Sequence, residues 1–471
     1  MPGLSARSPA RTPSPLAGAL VQRLVPIAGV VLVAAAYLIQ VRSPLRLHFD
    51  AVVLLRMADS FRAGRGFSPP ELNSPHPIGF PALVALLQAL HVASAPVLVL
   101  VNDAAVAIGL VCSFHYLRSG LFAGTHEAPV HLSKRTRWVI CLLTATSWVL
   151  FKHAVIPITD VVYFGVSSLT LLVLVRAWQR PPEGRPTSAV GPFAWVALGS
   201  VLAACSILTR TVGITLLPAV GWAALGQGGP SAVFEYFRRR RALLAMLLLS
   251  ALVLAVPAVI AVAHNKYVWD FATRYSSAGS RSLAGVLQQT FLDRLADMGE
   301  IVLNVSSQAF SPVAQSFFPA HAALASTALS GALLLAGLVG YVLIGLGFWA
   351  ARRTLSPVAV YFLAYTALLL IWPYRDPRFH LPCLPLIFGT AALGLMSVHQ
   401  KRARAALWVY VAGFLLLGCG AVVHTTRLTF AGDRFADSYS DRYADSYKAA
   451  YGLPHDDSKV DPEAVRLLRE Y

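Results

Sequence analysis

Charged residues are scarce: Asp, Glu, Lys and Arg make up 13% of the 471 residues, about half the ~25% of an ordinary soluble domain. Hydrophobic residues make up 56%. One water-soluble domain cannot hide that much apolar surface, so a single soluble globule is excluded and the bilayer is the solvent the composition fits. Cysteine is also sparse. Cys112, Cys141, Cys205, Cys383 and Cys419 stand singly inside apolar stretches, with no CxxC and no metal-ligand spacing, so they read as small core residues and no metal site is expected. Acidic residues are fewest, 22 against 39 Lys and Arg for a net charge of +17. In a soluble chain that excess would suggest nucleic acid, but here the basic residues sit in short runs between apolar spans. That distribution is a topology signal and argues against a nucleic-acid partner.

Long apolar runs are what the sequence has in plenty. A helix needs about 20 mainly apolar residues to cross a hydrocarbon core of roughly 30 Å, and such runs recur from Leu24 to Val423. They predict an all-α polytopic transmembrane bundle of about eleven spans. The spans are placed at 24–41, 95–117, 138–154, 161–178, 193–209, 211–226, 242–263, 322–350, 357–372, 380–398 and 405–423. Residues 1–23, rich in Pro, Ser, Ala and Arg, read as a disordered cytoplasmic tail, and the run after it as an uncleaved anchor. With the N-terminus inside, the loops after even-numbered spans are basic: Lys134, Arg135 and Arg137; Arg180 and Arg185; Arg238 to Arg241; Arg352 and Arg353; Lys401, Arg402 and Arg404. This is the positive-inside pattern of a multi-pass cell-membrane protein.

The remaining loops then face the extracytoplasmic side. They comprise a first loop over 41–94, a short one near Lys152 to Asp160, one at Arg210, a large one over 264–321, the segment Trp372 to His380, and a polar tail over 425–471. Ala51 to Ala63 reads as an interfacial amphipathic helix, and Pro77 to Val92 as a re-entrant or interfacial one. The tail repeats Asp433-Arg-Phe-Ala-Asp-Ser-Tyr-Ser as Asp441-Arg-Tyr-Ala-Asp-Ser-Tyr-Lys. Two copies are too few for a solenoid; the expectation is an interfacial or loosely packed helical segment, followed by a capped helix at Asp461-Pro-Glu.

Ionisable residues near span ends are costly and are therefore candidates for function. Asp50 opens the interfacial helix and Asp160 stands between two spans; each could merely cap a helix, or the pair could meet and take a proton from a hydroxyl. Cations on the same side are Lys152, Arg210, Arg375 and Arg378, with His76 and His380 beside them. Arg210 could simply snorkel to the interface. Trp372-Pro-Tyr-Arg-Asp-Pro-Arg-Phe-His-Leu-Pro is the densest stretch, where guanidinium forks suit a lipid phosphate, or Arg375 pairs with Asp376.

In order along the chain, these features resemble the GT-C superfamily of polytopic glycosyltransferases, especially protein O-mannosyltransferases and lipid A aminoarabinose transferases. Asp50 precedes Gly64-Arg65-Gly66-Phe67; His76-Pro77-Ile78-Gly79-Phe80-Pro81 is similar to the family's Pro-Pro-Gly-Tyr-Pro; Asp160 and Arg210-Thr211-Val212-Gly213 follow; Arg378 to Pro385 resembles Arg-Tyr-x-x-Pro-x-x-Pro. The match spans roughly residues 24 to 400. One departure is Ala51, where the family often has a second acid, so the resemblance gives no metal site. It implies a GT-C-like transmembrane domain over 24–424 that transfers a hexosyl or pentosyl unit from a polyprenyl-phosphate-linked sugar. The acceptor would be a glycan, lipid or protein hydroxyl, with inversion at the outer face and no cofactor beyond the donor. Asp50 is then the base, Asp160 positions the acceptor, and Arg378, Arg210, Arg375, His76, His380 and Lys152 meet the substrate or its lipid phosphate. A transporter, flippase or ligase for lipid-linked glycans is the alternative, since it would use the same basic, aromatic outer surface.

Overall fold

The computed structural model of the chain describes residues 15–67, 76–118, 132–179, 192–225, 283–308, 322–350, 355–372, 374–398, 400–431 and 442–471, with 252 and 256 as isolated positions. Every regular element among them is helical. Five helices, Ala95–Tyr116, Thr159–Trp178, Ala323–Ala350, Pro377–Ser397 and Leu407–Thr429, are long and apolar enough to cross a membrane, and shorter apolar helices accompany them. The chain is thus a multi-pass membrane protein. The span expected at 242–263, apart from positions 252 and 256, and the basic runs at 180–185, 238–241 and 352–353 lie outside the described residues.

The elements are α1 Pro15–Ile39, α2 Phe49–Arg62, α3 Gly79–Ala89, α4 Ala95–Tyr116, α5 Lys134–Ala145, α6 Trp148–Ala154, α7 Thr159–Trp178, α8 Pro192–Thr209 and α9 Leu217–Leu225. After them come α10 Leu283–Leu303, α11 Ala322–Ala350, α12 Pro357–Ile371, α13 Leu384–Val398, α14 Gln400–Thr429, α15 Ala444–Ala450 and α16 Pro462–Glu470. Helix α1 begins at Pro15, inside the stretch read as a tail.

Two spans are broken where the sequence suggested continuity or a simple loop. The run at 138–154 splits into α5 and α6 at Thr146-Ser147. A break leaves backbone groups without helical partners, and Asn304, at the end of α10, meets them. Its side chain accepts from the Trp148 N–H at 2.8 Å and donates to the Thr146 carbonyl at 3.3 Å, and it also donates to the Phe414 carbonyl of α14 at 3.0 Å. The second break lies at Arg210, where the backbone is extended (φ −155°, ψ 129°) before a 3-10 segment Thr211–Leu216 leads into α9. Gly213 allows this, because a Cβ there would stand 2.7 Å from the Ile207 nitrogen and Ser206 carbonyl carbon.

The stretch read as a large outer loop contains α10, which packs along α11. Backbones approach directly at this crossing: a Cβ on Gly337 would run into the Leu295 carbonyl, and one on Gly299 into that of Leu333. Small residues permit such close helix contacts in membranes. Gly337→Ala is therefore expected to force α10 from α11 and lower the melting temperature in detergent, as overpacking costs about 1–3 kcal/mol. Gly331→Ala, on the same helix with nothing within 4 Å of a built Cβ, is the control. Equal melting of the two variants would show that the crossing is not tight.

Two cores result. One lies among the spans, through α1 and α4 to α14. The second lies over them, where Leu45, Leu47, Leu54 and Leu55 of the first loop meet Phe80 and Val84 of α3 and Tyr443, Tyr447, Ala464 and Leu467 of the tail. The second repeat copy is therefore packed, not loose, because Tyr443, Tyr447 and Leu467 are at most 2% exposed; the first copy lies mostly outside the described residues.

Candidate active site

The α6–α7 turn and α2 frame the site from two directions. Asn102 of α4 donates to the Ala154 and Ile156 carbonyls at 2.9 and 2.8 Å, pinning the turn that leads to Asp160. Val155, Ile156 and Ile158 of that turn pack on Ala51, next to Asp50. A third wall is the 3-10 segment Pro377–Cys383, held by the Tyr365 hydroxyl of α12 donating to the Phe379 carbonyl at 2.6 Å.

Neither acid acts as a side-chain cap. Ring nitrogen Nδ1 of His48 accepts from the Asp50 N–H at 3.3 Å at the start of α2, and the N-cap of α7 is Ile158, which cannot cap with its side chain. Both acids instead stand in the first turn of their helices, where the helix dipole favours negative charge, and both take an arginine. Arg378 Nη2 lies 2.7 Å from Asp50 Oδ2, and its Nε lies 2.8 Å from Asp376. Arg210 pairs with Asp160. Both guanidinium groups lie over the Phe379 ring, at 5.1 and 5.5 Å from its centre. Arg210 therefore does not snorkel; its break in the α8–α9 run aims it inward.

These groups line one cavity of about 180 Å³. Asp50, His76, Asp160, Arg210 and Arg378 form its polar wall, with Thr159 and Thr211; Leu54, Ile207, Leu368, Leu369 and Trp372 form an apolar one. Burial pushes the Asp50 carboxyl up, but Arg378, His76 and His48 outweigh it and hold the group below the ordinary 3.8. It is a carboxylate at neutral pH. Burial pulls His76 down, and although Asp50 opposes this, Arg378 and Arg210 reinforce it. His76 is therefore neutral there, able to donate from one nitrogen and accept at the other.

Three sequence candidates lie elsewhere. Arg375 is 45% exposed and faces Asp297 and Glu300 of α10 at 3.5 and 3.6 Å, so the expected pair with Asp376 is replaced by these contacts. His380 is buried within the 3-10 segment. Lys152 lies 5.9 Å over the Trp148 ring. None of the three lines the cavity. The sequence reading missed the group that anchors Arg375 and the residues before it: Arg294 donates to the Tyr374 carbonyl and sits 2.8 Å from Asp297. Its signal is the three-residue spacing of Arg294, Asp297 and Glu300 along α10, which sets them on one face. Among the described residues no group of three His, Cys, Asp or Glu is placed to hold a metal.

A multi-pass helical protein with a mixed acid and guanidinium cavity is the class these observations define. No family model matches the chain, and no curated protein does. Solved structures similar to this chain are so at low identity. ArnT from Cupriavidus metallidurans bound to undecaprenyl phosphate is 14% identical, with a TM-score of 0.47 over 90% of this chain and 69% of that one. The same protein in the apo state gives 14%, 0.43, 92% and 68%. The Archaeoglobus fulgidus oligosaccharyltransferase in the apo form is 14% identical, with a TM-score of 0.45 over 93% of this chain and 59% of that one.

Proposed function

We propose that the chain is a membrane glycosyltransferase that moves a sugar from a polyprenyl-phosphate donor to a hydroxyl acceptor at the extracytoplasmic face. The observation that carries the reading is the cavity, where two carboxylates and two guanidinium groups meet beside an apolar wall. A lipid-linked sugar phosphate has those two characters: an anionic head for Arg378 and Arg210, and an apolar chain for the side bearing Leu368, Leu369 and Trp372. The order of motifs along the chain supports the same chemistry. The outward orientation rests on the basic runs between spans.

In this reading the acceptor oxygen bonds to the anomeric carbon as the bond from that carbon to the phosphate oxygen breaks. The polyprenyl phosphate leaves with the electron pair, Arg378 and Arg210 take up its developing charge, and the hydroxyl proton passes to the Asp50 carboxylate. Attack opposite the leaving group inverts the anomeric centre. Asp160, held by Arg210, positions the acceptor, and neutral His76 hydrogen-bonds the sugar or the acceptor. In the empty site Arg378 neutralises Asp50. A donor phosphate competes for that guanidinium and so frees the carboxylate to act as a stronger base.

The test is transfer in detergent, where there is no sidedness. Purified protein incubated with a polyprenyl-phosphate sugar carrying a radiolabel is expected to move label to an acceptor in a membrane extract. A transporter or flippase would leave the label on the lipid, and that result would remove the reading. Mass spectrometry of glycans from a deletion strain identifies the sugar and the acceptor.

A further inference from the structure

Helix α2 carries Asp50 at its start, and residues 44–48 lead into it as extended chain. An extended segment has no intrinsic register, because its backbone groups bond to nothing of their own. Here two distant elements hold it. Arg46 reaches Ser43 Oγ at 2.9 Å, the Thr425 carbonyl at 3.0 Å and Thr429 Oγ1 at 2.9 Å, fastening it to the end of α14. Tyr447, wholly buried in α15, brackets the residues on either side of Arg46. Its hydroxyl accepts from the Leu47 N–H and donates to the Leu45 carbonyl, both at 2.7 Å. The tail then grips the far half of α2, where Arg466 of α16 lies 2.5 Å from Asp59 and Glu463 lies 3.6 Å from Arg56.

Resting on the reading of Asp50 as the base, we propose that Tyr447 is a positioning residue whose bridging hydroxyl sets the chain that places Asp50 against Arg378. The second copy of the tail repeat thereby acquires a task. Arg378 sits on a separate element, the 3-10 segment fixed by Tyr365, so the 2.7 Å contact between the two side chains is a contact between independently held parts. If the 44–48 segment relaxes, α2 moves and Arg378 does not. Reactions are sensitive to such shifts: a misplacement of about 1 Å can cost about a hundredfold in rate.

Tyr447→Phe removes the hydroxyl and little else. The groups facing Asp50 are Arg378 from the 3-10 segment, Arg210 from the break between α8 and α9, His76 from the residues before α3 and His48 at the N-cap of its own helix. When the carboxylate loses contact with Arg378 its burial remains, so its titration moves upward. Asp50 can be followed without substrate as the infrared band of its protonated carboxyl, assigned by its absence in Asp50→Asn. In Tyr447→Phe the midpoint is expected to rise by about one pH unit, the low end of what an adjacent opposite charge contributes. Turnover should fall about tenfold or more, and undecaprenyl phosphate should bind at least as tightly as to the wild type, because Arg378 and Arg210 stay in place and the carboxylate that competes for Arg378 has moved away. The control is Tyr37→Phe, which loses a comparable buried bond, to the Ala145 carbonyl at 2.8 Å, within the spans' core and not on the 44–48 segment. It should leave the Asp50 midpoint in place.

An unmoved midpoint in Tyr447→Phe overturns the proposal, as does an equal shift in Tyr37→Phe. A Tyr447→Phe protein that fails to accumulate overturns it too, by making the residue one the fold needs. A shifted midpoint together with full turnover in Asp50→Asn leaves the positioning intact and removes the base.

Discussion

Asp50→Asn is expected to lower turnover by at least about a hundredfold, within the 10² to 10⁴-fold range of general-base contributions, while the protein still inserts and still binds its lipid donor. The substitution is mild structurally. His48, not Asp50, caps α2, so the helix start does not depend on the charge, and an amide oxygen still accepts a hydrogen bond from Arg378. What the amide cannot do is take a proton. The pH profile gives a second check. Because Arg378 and the two histidines hold the Asp50 carboxyl of the free protein below 3.8, the wild-type kcat/KM should persist down to acidic pH and fall only as that low value is reached. Turnover near the wild-type level in purified Asp50→Asn would remove the base assignment and pass it to Asp160. That residue is already engaged by Arg210.

Arg378 is the second position where a large effect is expected, and two substitutions separate its geometry from its charge. Lys keeps the charge but cannot bridge Asp50 and Asp376 while presenting a fork to phosphate. Hydrogen bonds to charged groups contribute about 1.5–3 kcal/mol, so the KM for the lipid donor should rise by about ten- to a hundredfold. The acid limb of the rate should stay close to its wild-type place, because a cation still faces Asp50. Met removes the cation as well. Asp50 and Asp376 are then left without their shared partner, burial of the Asp50 carboxyl is less opposed, its pKa rises from the depressed value, and the acid limb moves to higher pH. The sign follows from the proton: the active form is the carboxylate, so a raised pKa means activity is lost earlier as pH falls. A donor KM unchanged in Arg378→Lys would return the residue to a structural role.

How much was legible in the sequence differs residue by residue. Asp50, His76, Asp160, Arg210 and Arg378 each stand near the start or end of an apolar run, and charge at such a point is conspicuous against its neighbours. They are also the residues that share the cavity. Arg375 and His380 belong to the same dense stretch as Arg378, yet adjacent residues on a tight turn point in different directions, and sequence cannot say which one faces inward. Helix α10 was hidden because Arg294, Asp297 and Glu300 dilute its apolar content below that of a span. Its neighbour α11, through which it is recognisable as a packed helix, contributes Gly337 and Gly340 at the crossing. Tyr447 was the least legible. Its partners are Leu45 and Leu47, and no local pattern around a tyrosine announces a backbone that far away.

The separation between Leu47 and Tyr447 is 400 residues, and it has a consequence for biogenesis. Contacts between distant parts of a chain form late, because closing the intervening loop comes first. In a membrane protein the intervening loop is nearly the whole set of spans, each of which must be inserted before the tail can reach the first loop. Helix α2 is synthesised early and waits with Val52, Leu54 and Leu55 only partly covered, by α3, until α15 and α16 arrive to complete the second core. Exposed apolar surface of this kind is where partly folded chains aggregate or recruit chaperones. Assembly of the protein therefore runs from the membrane outward, and the part that positions Asp50 is finished last.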